Sequence, residues 1–271
     1  RTMAAVSRRL PWAARAVRTS GPRGRASTRA WAAASAAEPP SVVEAEGGGS
    51  ASGAVVFGHG LGDTPEGWRW QCAAWAHELP WVRFVLPPAP VRPVTLNGGY
   101  PMPAWYDIQG LGDRLQEPAE GAEDSREVWS QAVEAEASRV GGRDRVVLGG
   151  FSQGGAMALY TALRSDMLPF VAGVVCMSGY LPNQAALAAT LTPERRPLAL
   201  RELPVLLCHG RRDAMVAVDA ARRTRDALQA LGLERVELRE YEGMGHEVSE
   251  DELGDVADWL REALPERPST A

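Results

Sequence analysis

From about residue 53 onward, short apolar runs flanked by Gly and Pro alternate with longer stretches whose apolar positions recur at helical spacing. Residues 54–57, 82–86, 145–148, 172–177, 204–208 and 235–241 are predicted strands, with helices in the gaps. That alternation predicts an α/β fold: one domain with a mostly parallel central sheet and helices on both faces. Two helices are legible in detail. Ser249 with Glu252 forms a capping box ahead of the stripe Leu253, Val256, Trp259, Leu260 and Leu264, which closes the domain. Val128, Trp129, Ala132, Val133 and Val140 form a second stripe, with Glu127, Glu134, Glu136 and Arg139 expected to face water.

Composition divides the 271 residues further. Residues 1–37 hold eight Arg, no Asp or Glu, and much Ala and Ser, the composition of an organellar transit peptide. Chloroplast or mitochondrial import is therefore expected, with a cytoplasmic location as the alternative. Residues 38–53 (EPPSVVEAEGGGSASG) read as a linker, 54–265 as the domain and 266–271 as a tail. The other 21 Arg and all 34 acids lie beyond residue 37, so that part carries −13 and offers no broad cationic surface to nucleic acid. Three scattered Cys suggest no disulfide framework. No apolar run reaches the length of a membrane span, so stable insertion is not expected.

The strongest chemical signal is Gly149-Gly150-Phe151-Ser152-Gln153-Gly154-Gly155, between a predicted strand and an apolar helix. A GxSxG match alone is weak, but this setting predicts a sharp strand-to-helix turn presenting Ser152 beside free helical amides. A serine hydroxyl needs a base, and the base needs an acid to hold its tautomer. The chain has four His. His77 reads as a helix residue and His209 as a core histidine bonded to backbone. His246, in a Gly-flanked loop, is the one that follows both Ser152 and a suitable acid, Asp213, in the order nucleophile, acid, histidine. The elbow supplies one oxyanion donor, the Gln153 amide. The turn Gly58-His59-Gly60-Leu61-Gly62-Asp63, after the first predicted domain strand, can supply the Leu61 amide. There is no GxGxxG, no Lys for a phosphate loop and no HExxH, so no cofactor or metal is expected.

Taken together, these motifs resemble those of the acyl-protein thioesterase and carboxylesterase (lysophospholipase-like) family of the α/β-hydrolases. The resemblance runs over residues 55–264 and rests on FGHGLGDT at 57–64, the NGG and MPAWYDI within 90–108, GGFSQGGA at 149–156, LPVLLCHGRRDAMV at 203–216 and GMGH at 243–246. It implies Ser152 as nucleophile, Asp213 as acid, His246 as base, and Leu61 and Gln153 as oxyanion donors. Ala217 stands where relatives commonly have Pro, and Ala104 where they commonly have Ser. The implied substrates are acyl thioesters or esters, including S-acylated proteins, lysophospholipids and short acyl esters. A carboxylesterase without protein thioesterase activity and a non-catalytic ligand-binding relative are the alternatives. On the Pro- and Gly-rich excursion 87–105, Leu96, Met102 and Trp105 are expected to wall an acyl groove, where each buried CH₂ contributes about 0.8 kcal/mol.

Overall fold

A computed structural model of the chain describes residues 38–47, 50–110, 112–164, 171–192 and 198–267. The expected transit segment 1–37 lies outside these residues, as do 268–271 of the expected tail. Each of the six predicted strands has a counterpart: β2 (Gly53–Gly58), β3 (Val82–Leu86), β6 (Val146–Phe151), β7 (Gly173–Met177), β8 (Val205–Gly210) and β9 (Val236–Tyr241). They pair in parallel in the order β3-β2-β6-β7-β8-β9. The structure adds a short strand, β1 (Ser41–Val43), running antiparallel on the outer edge of β3. The expected linker 38–53 is therefore corrected, because part of it belongs to the sheet and Val43 is buried.

Side chains alternate along the strands between two cores. Ala54, Val56, Val146, Leu148, Val174 and Leu207 face one of them, with α2 (Ala122–Val140), α3 (Gln153–Arg164) and α5 (Val218–Ala230). Val55, Phe57, Val147, Val175, Met177 and Leu206 face the other, with α1 (Pro65–Glu78) and α6 (Glu250–Ala263). A shorter helix, α4 (Gln184–Thr190), follows β7. Both faces are covered, which is why the strands read as continuous apolar runs.

The second helical stripe holds in its centre, where Trp129, Val133 and Val140 are buried, but Glu136 does not face water. It is 4% exposed and its carboxylate lies 2.7 Å from the guanidinium of Arg83 on β3. At the start of α6 the Ser249 hydroxyl accepts from the Glu252 amide, as a cap should. The Glu252 carboxyl, which should complete the box, is fully buried, and the Ser249 amide is the one backbone group that acts on it, from beyond a well-formed hydrogen bond. No helix among them is long and apolar enough to cross a membrane.

Between β3 and α2 the chain makes a long excursion over the carboxyl edge of the sheet. It begins with the hairpin β4 (Val91–Val94) and β5 (Tyr100–Pro103), which is separate from the main sheet. Here the sequence expectation for Trp105 fails. Its indole is fully buried, stacked edge-on against Trp129 and 5.3 Å from the His59 ring, so it lines no open groove. The excursion folds back onto α2 and α3 and takes the indole inside.

Candidate active site

The site is built at the carboxyl ends of four parallel strands. Ser152 follows β6 and precedes α3 with φ of 54°, a left-handed conformation that a side-chain-bearing residue adopts only under constraint. The constraint is backbone pairing: the Ser152 amide donates to the Met177 carbonyl at 2.7 Å and its carbonyl accepts from Ala156 at 3.0 Å. Glycine is required on both sides of the turn. A Cβ on Gly150 would sit 2.5 Å from the Gly154 carbonyl carbon, and one on Gly154 only 2.1 Å from the Gly58 oxygen. Strand, helix and the loop after β2 thus approach to a distance that only backbone permits.

His246 lies in the loop between β9 and α6, and Asp213 in the turn after β8. The His246 Nε2 is 3.0 Å from the Ser152 Oγ, and its Nδ1 is 2.6 Å from the Asp213 Oδ2. The two loops are tied by a bond from the Arg212 amide to the Met244 carbonyl. The Asp213 carboxylate is fully committed: Oδ1 accepts from the Met215 and Val216 amides, both at 2.8 Å, while Oδ2 faces His246. Burial pushes its pKa up, but hydrogen bonds from His209, His246 and the Val216 amide outweigh burial, and the group stays well below the ordinary carboxylate range. Because Nδ1 of His246 donates to an ionised acid, Nε2 is left with a lone pair directed at the serine hydroxyl.

Three further side chains pack around this line. His209 is a buried core histidine bonded to backbone, as expected, with its Nε2 2.7 Å from the Val216 carbonyl. A carbonyl cannot donate, so Nε2 carries the proton, and it also lies 3.4 Å from the Asp213 Oδ2. Phe151 places its ring 5.0 Å from the His246 ring. The Gln153 side chain is 2% exposed and folds back onto the excursion. The spacing of His209 and Asp213, four residues apart across a tight turn, carried the first of these signals. The other two depend on tertiary neighbours.

The Leu61 and Gln153 amides have no acceptor among the described residues, which leaves both N–H groups available beside Ser152. The Gln153 amide opens α3, where the helix dipole favours negative charge. Leu61 itself is half-buried against the core, as is Leu96. Met102 is half-buried on β5, its sulfur accepting from Asn97 and lying beside Gly62 of the loop after β2. No cluster of potential metal ligands occurs among the described residues.

A half-buried serine on a strained strand-to-helix turn, hydrogen-bonded through histidine to a buried carboxylate, is the arrangement by which an acyl group can be taken from a thiol or alcohol and passed to water. The phospholipase/carboxylesterase family profile matches residues 39–264. The chain is 36% identical over 237 residues to acyl-protein thioesterase 1 of Neurospora crassa, covering 85% of this chain and 94% of the relative. It is 37% identical over 243 residues to acyl-protein thioesterase 1 of Mycosarcoma maydis, covering 83% and 96%. The crystal structure of acyl-protein thioesterase 2 from Zea mays superposes with a TM-score of 0.69 at 30% identity, covering 83% of this chain and 98% of that one. The chain belongs to the phospholipase/carboxylesterase family of α/β-hydrolases.

Proposed function

We propose that this enzyme removes acyl chains from thioesters and carboxylic esters through an acyl-enzyme on Ser152. The observation that carries the assignment is the unbroken hydrogen-bonded line Ser152–His246–Asp213. As Ser152 Oγ attacks the acyl carbonyl, its proton passes to His246 Nε2 and the carbonyl electron pair moves onto oxygen. That oxygen is received by the Leu61 and Gln153 amides. Collapse expels the thiolate or alkoxide, which takes the proton from His246. Water then repeats the sequence and releases the acid. Asp213 keeps the imidazole in the required tautomer and stabilises the imidazolium. A thiol leaving group, with an unperturbed pKa near 8.5, departs more easily than an alcohol, so thioesters ask less of His246 as an acid.

For the substrate we favour acyl chains on protein cysteines. The relatives named above, described as acyl-protein thioesterases, support this reading. Leu96 and Met102, half-buried on the excursion, are assigned to the acyl-binding wall together with the Leu61 side chain. Trp105 is withdrawn from that role because it is enclosed. The acid-free, Arg-rich segment 1–37 supports import into a chloroplast or mitochondrion, and a fluorescent fusion of that segment tests it.

A fluorophosphonate probe should label the wild type and fail to label Ser152→Ala. Equal labelling of the two, or resistance of the wild type, removes the assignment and favours a binding protein. Matched long-chain thioesters, oxygen esters and lysophospholipids then divide the substrate readings. Turnover of esters alone would leave a carboxylesterase.

A further inference from the structure

We propose that the Gln153 carboxamide and the Trp105 indole are positioning residues that set the two oxyanion amides, Leu61 N–H and Gln153 N–H, at a fixed separation. The inference rests on the serine-hydrolase reading above and adds to it the machinery that holds the oxyanion site together.

The two amides come from elements about ninety residues apart in sequence, the loop after β2 and the start of α3. An oxyanion gains from both only if their separation is held within a few tenths of an ångström before the reaction begins. The excursion supplies that constraint. On one side, the Gln153 Oε1 accepts from the Trp105 amide at 2.8 Å and its Nε2 donates to the Tyr106 carbonyl at 2.8 Å. The carboxamide thus pairs with two successive backbone groups as a neighbouring strand would. On the other side, the Trp105 indole N–H donates to the His59 carbonyl at 2.9 Å. The Pro103 carbonyl accepts from the Gly62 amide at 2.8 Å. Residues 103–106 therefore grip α3 through Gln153 and grip the chain on both sides of Leu61.

The loop is braced from within by His59, which is 1% exposed. Its Nε2 accepts from the Ala89 amide at 3.1 Å, so Nδ1 carries the proton and donates to the Gly60 carbonyl at 2.8 Å. Burial lowers the pKa of His59 against the pull of the Gly60 carbonyl and Asp63, consistent with this neutral tautomer. The Trp105, Gln153 and His59 side chains of the bridge are buried and hydrogen-bonded, and none of them needs to touch the substrate. A misplacement of about 1 Å in such a site can cost on the order of a hundredfold in rate.

Two conservative substitutions test this. Trp105→Phe removes the indole N–H and keeps a ring. Gln153→Glu keeps the acceptor for the Trp105 amide but puts a carboxylate oxygen against the Tyr106 carbonyl unless it is protonated. Both variants should lose about tenfold to a hundredfold in kcat, with KM little changed, and to the same degree for acetyl and long-chain thioesters. Affinity for a trifluoromethyl ketone should fall by the same factor as kcat/KM. That probe forms a hemiketal in which the Ser152 Oγ–carbon bond replaces the carbonyl π bond, the electron pair rests on oxygen and the proton moves to His246. In Gln153→Glu, the activity relative to wild type at each pH should climb as pH falls and the carboxyl regains its donor. A merely structural role would lower the melting temperature without these effects.

Folded variants with wild-type kcat and wild-type ketone affinity overturn the inference. So does a loss confined to long chains, which would return Trp105 to the acyl wall. If Trp105→Phe does not fold, Gln153→Glu and its pH-dependent ratio decide alone. Should Ser152→Ala retain turnover, the serine-hydrolase reading itself falls. An inactive Ser152→Ala beside fully active Trp105→Phe and Gln153→Glu rejects only the positioning role.

Discussion

Asp213 shows how much of the chemistry is concentrated in single atoms. One of its oxygens holds the turn after β8 through two amides, and the other holds the imidazole. In Asp213→Asn the carboxamide oxygen can still accept from the amides, but the NH₂ then faces Nδ1 of His246. The imidazole would answer by moving its proton to Nε2, the atom that must accept from Ser152. Steady-state thioester hydrolysis should show kcat reduced about 10⁴-fold with KM close to wild type. A loss of less than about tenfold would take Asp213 out of the line. Ser152, Asp213 and His246 were legible in the sequence because each sits in a short Gly-bearing turn whose local chemistry betrays it, and because few His compete. Trp105 and Glu136 depart from the sequence expectation for a common reason. Whether a Trp on a Pro- and Gly-rich excursion is wall or core depends on where the excursion folds. Likewise, whether a Glu on a helix meets water depends on the strand residue opposite, here Arg83. Neither partner is near in sequence.

Among the elements, the start of α6 carries a measurable cost. The sequence displays the Ser249 cap and the apolar stripe, and both are present, but local pattern cannot say where a Glu three residues into the helix will point. It points inward. Burial pushes the Glu252 carboxyl up to about 8, with the Ser249 amide pulling weakly the other way and Asp255 adding to the rise. In the unfolded chain the same group ionises near 4.5. Stability linked to it is thus fully present below pH 4.5, declines as pH rises and the unfolded state alone releases its proton, and levels off above about 8. Glu252→Gln keeps the shape and removes the titration. Urea unfolding should find the variant more stable than wild type at pH 8 by about 2–5 kcal/mol, with the difference shrinking towards pH 4.5. An unchanged pH profile would mean that the carboxyl has found a partner in solution. Removing the cap with Ser249→Ala should destabilise at every pH, by about 1 kcal/mol.

At the scale of the whole molecule, the sheet order separates stability from chemistry. The reactive groups follow β2, β6, β8 and β9, whereas β1 lies on the far edge, outside β3. The buried strands could be read from sequence because both faces are covered, but β1 could not: three residues between a Pro pair and a Gly run give no periodicity, and edge pairing is decided by the exposed side of β3. Its attachment is nonetheless specific. Ser41, Val42 and Val43 pair with Leu86, Val85 and Phe84; Arg69 donates to the Val42 carbonyl at 2.7 Å; and Glu44 meets Arg83 at 2.7 Å. The chain that begins at residue 38 keeps every one of these bonds and is the reference. Deleting residues 1–46 removes these bonds and bares the apolar edge of β3, a template for pairing with another chain. We expect that truncation to melt roughly 5–10 °C lower, a loss of a few kcal/mol in a domain of this size, and to aggregate on heating. At 25 °C its turnover per folded molecule should match that of the chain beginning at residue 38, because β1 lies two strands away from β2, the nearest strand that carries a group of the site. Equal melting temperatures for the two truncations would reduce β1 to an incidental contact, and a fall in turnover without a fall in stability would show that the far edge and the catalytic edge are coupled through the sheet.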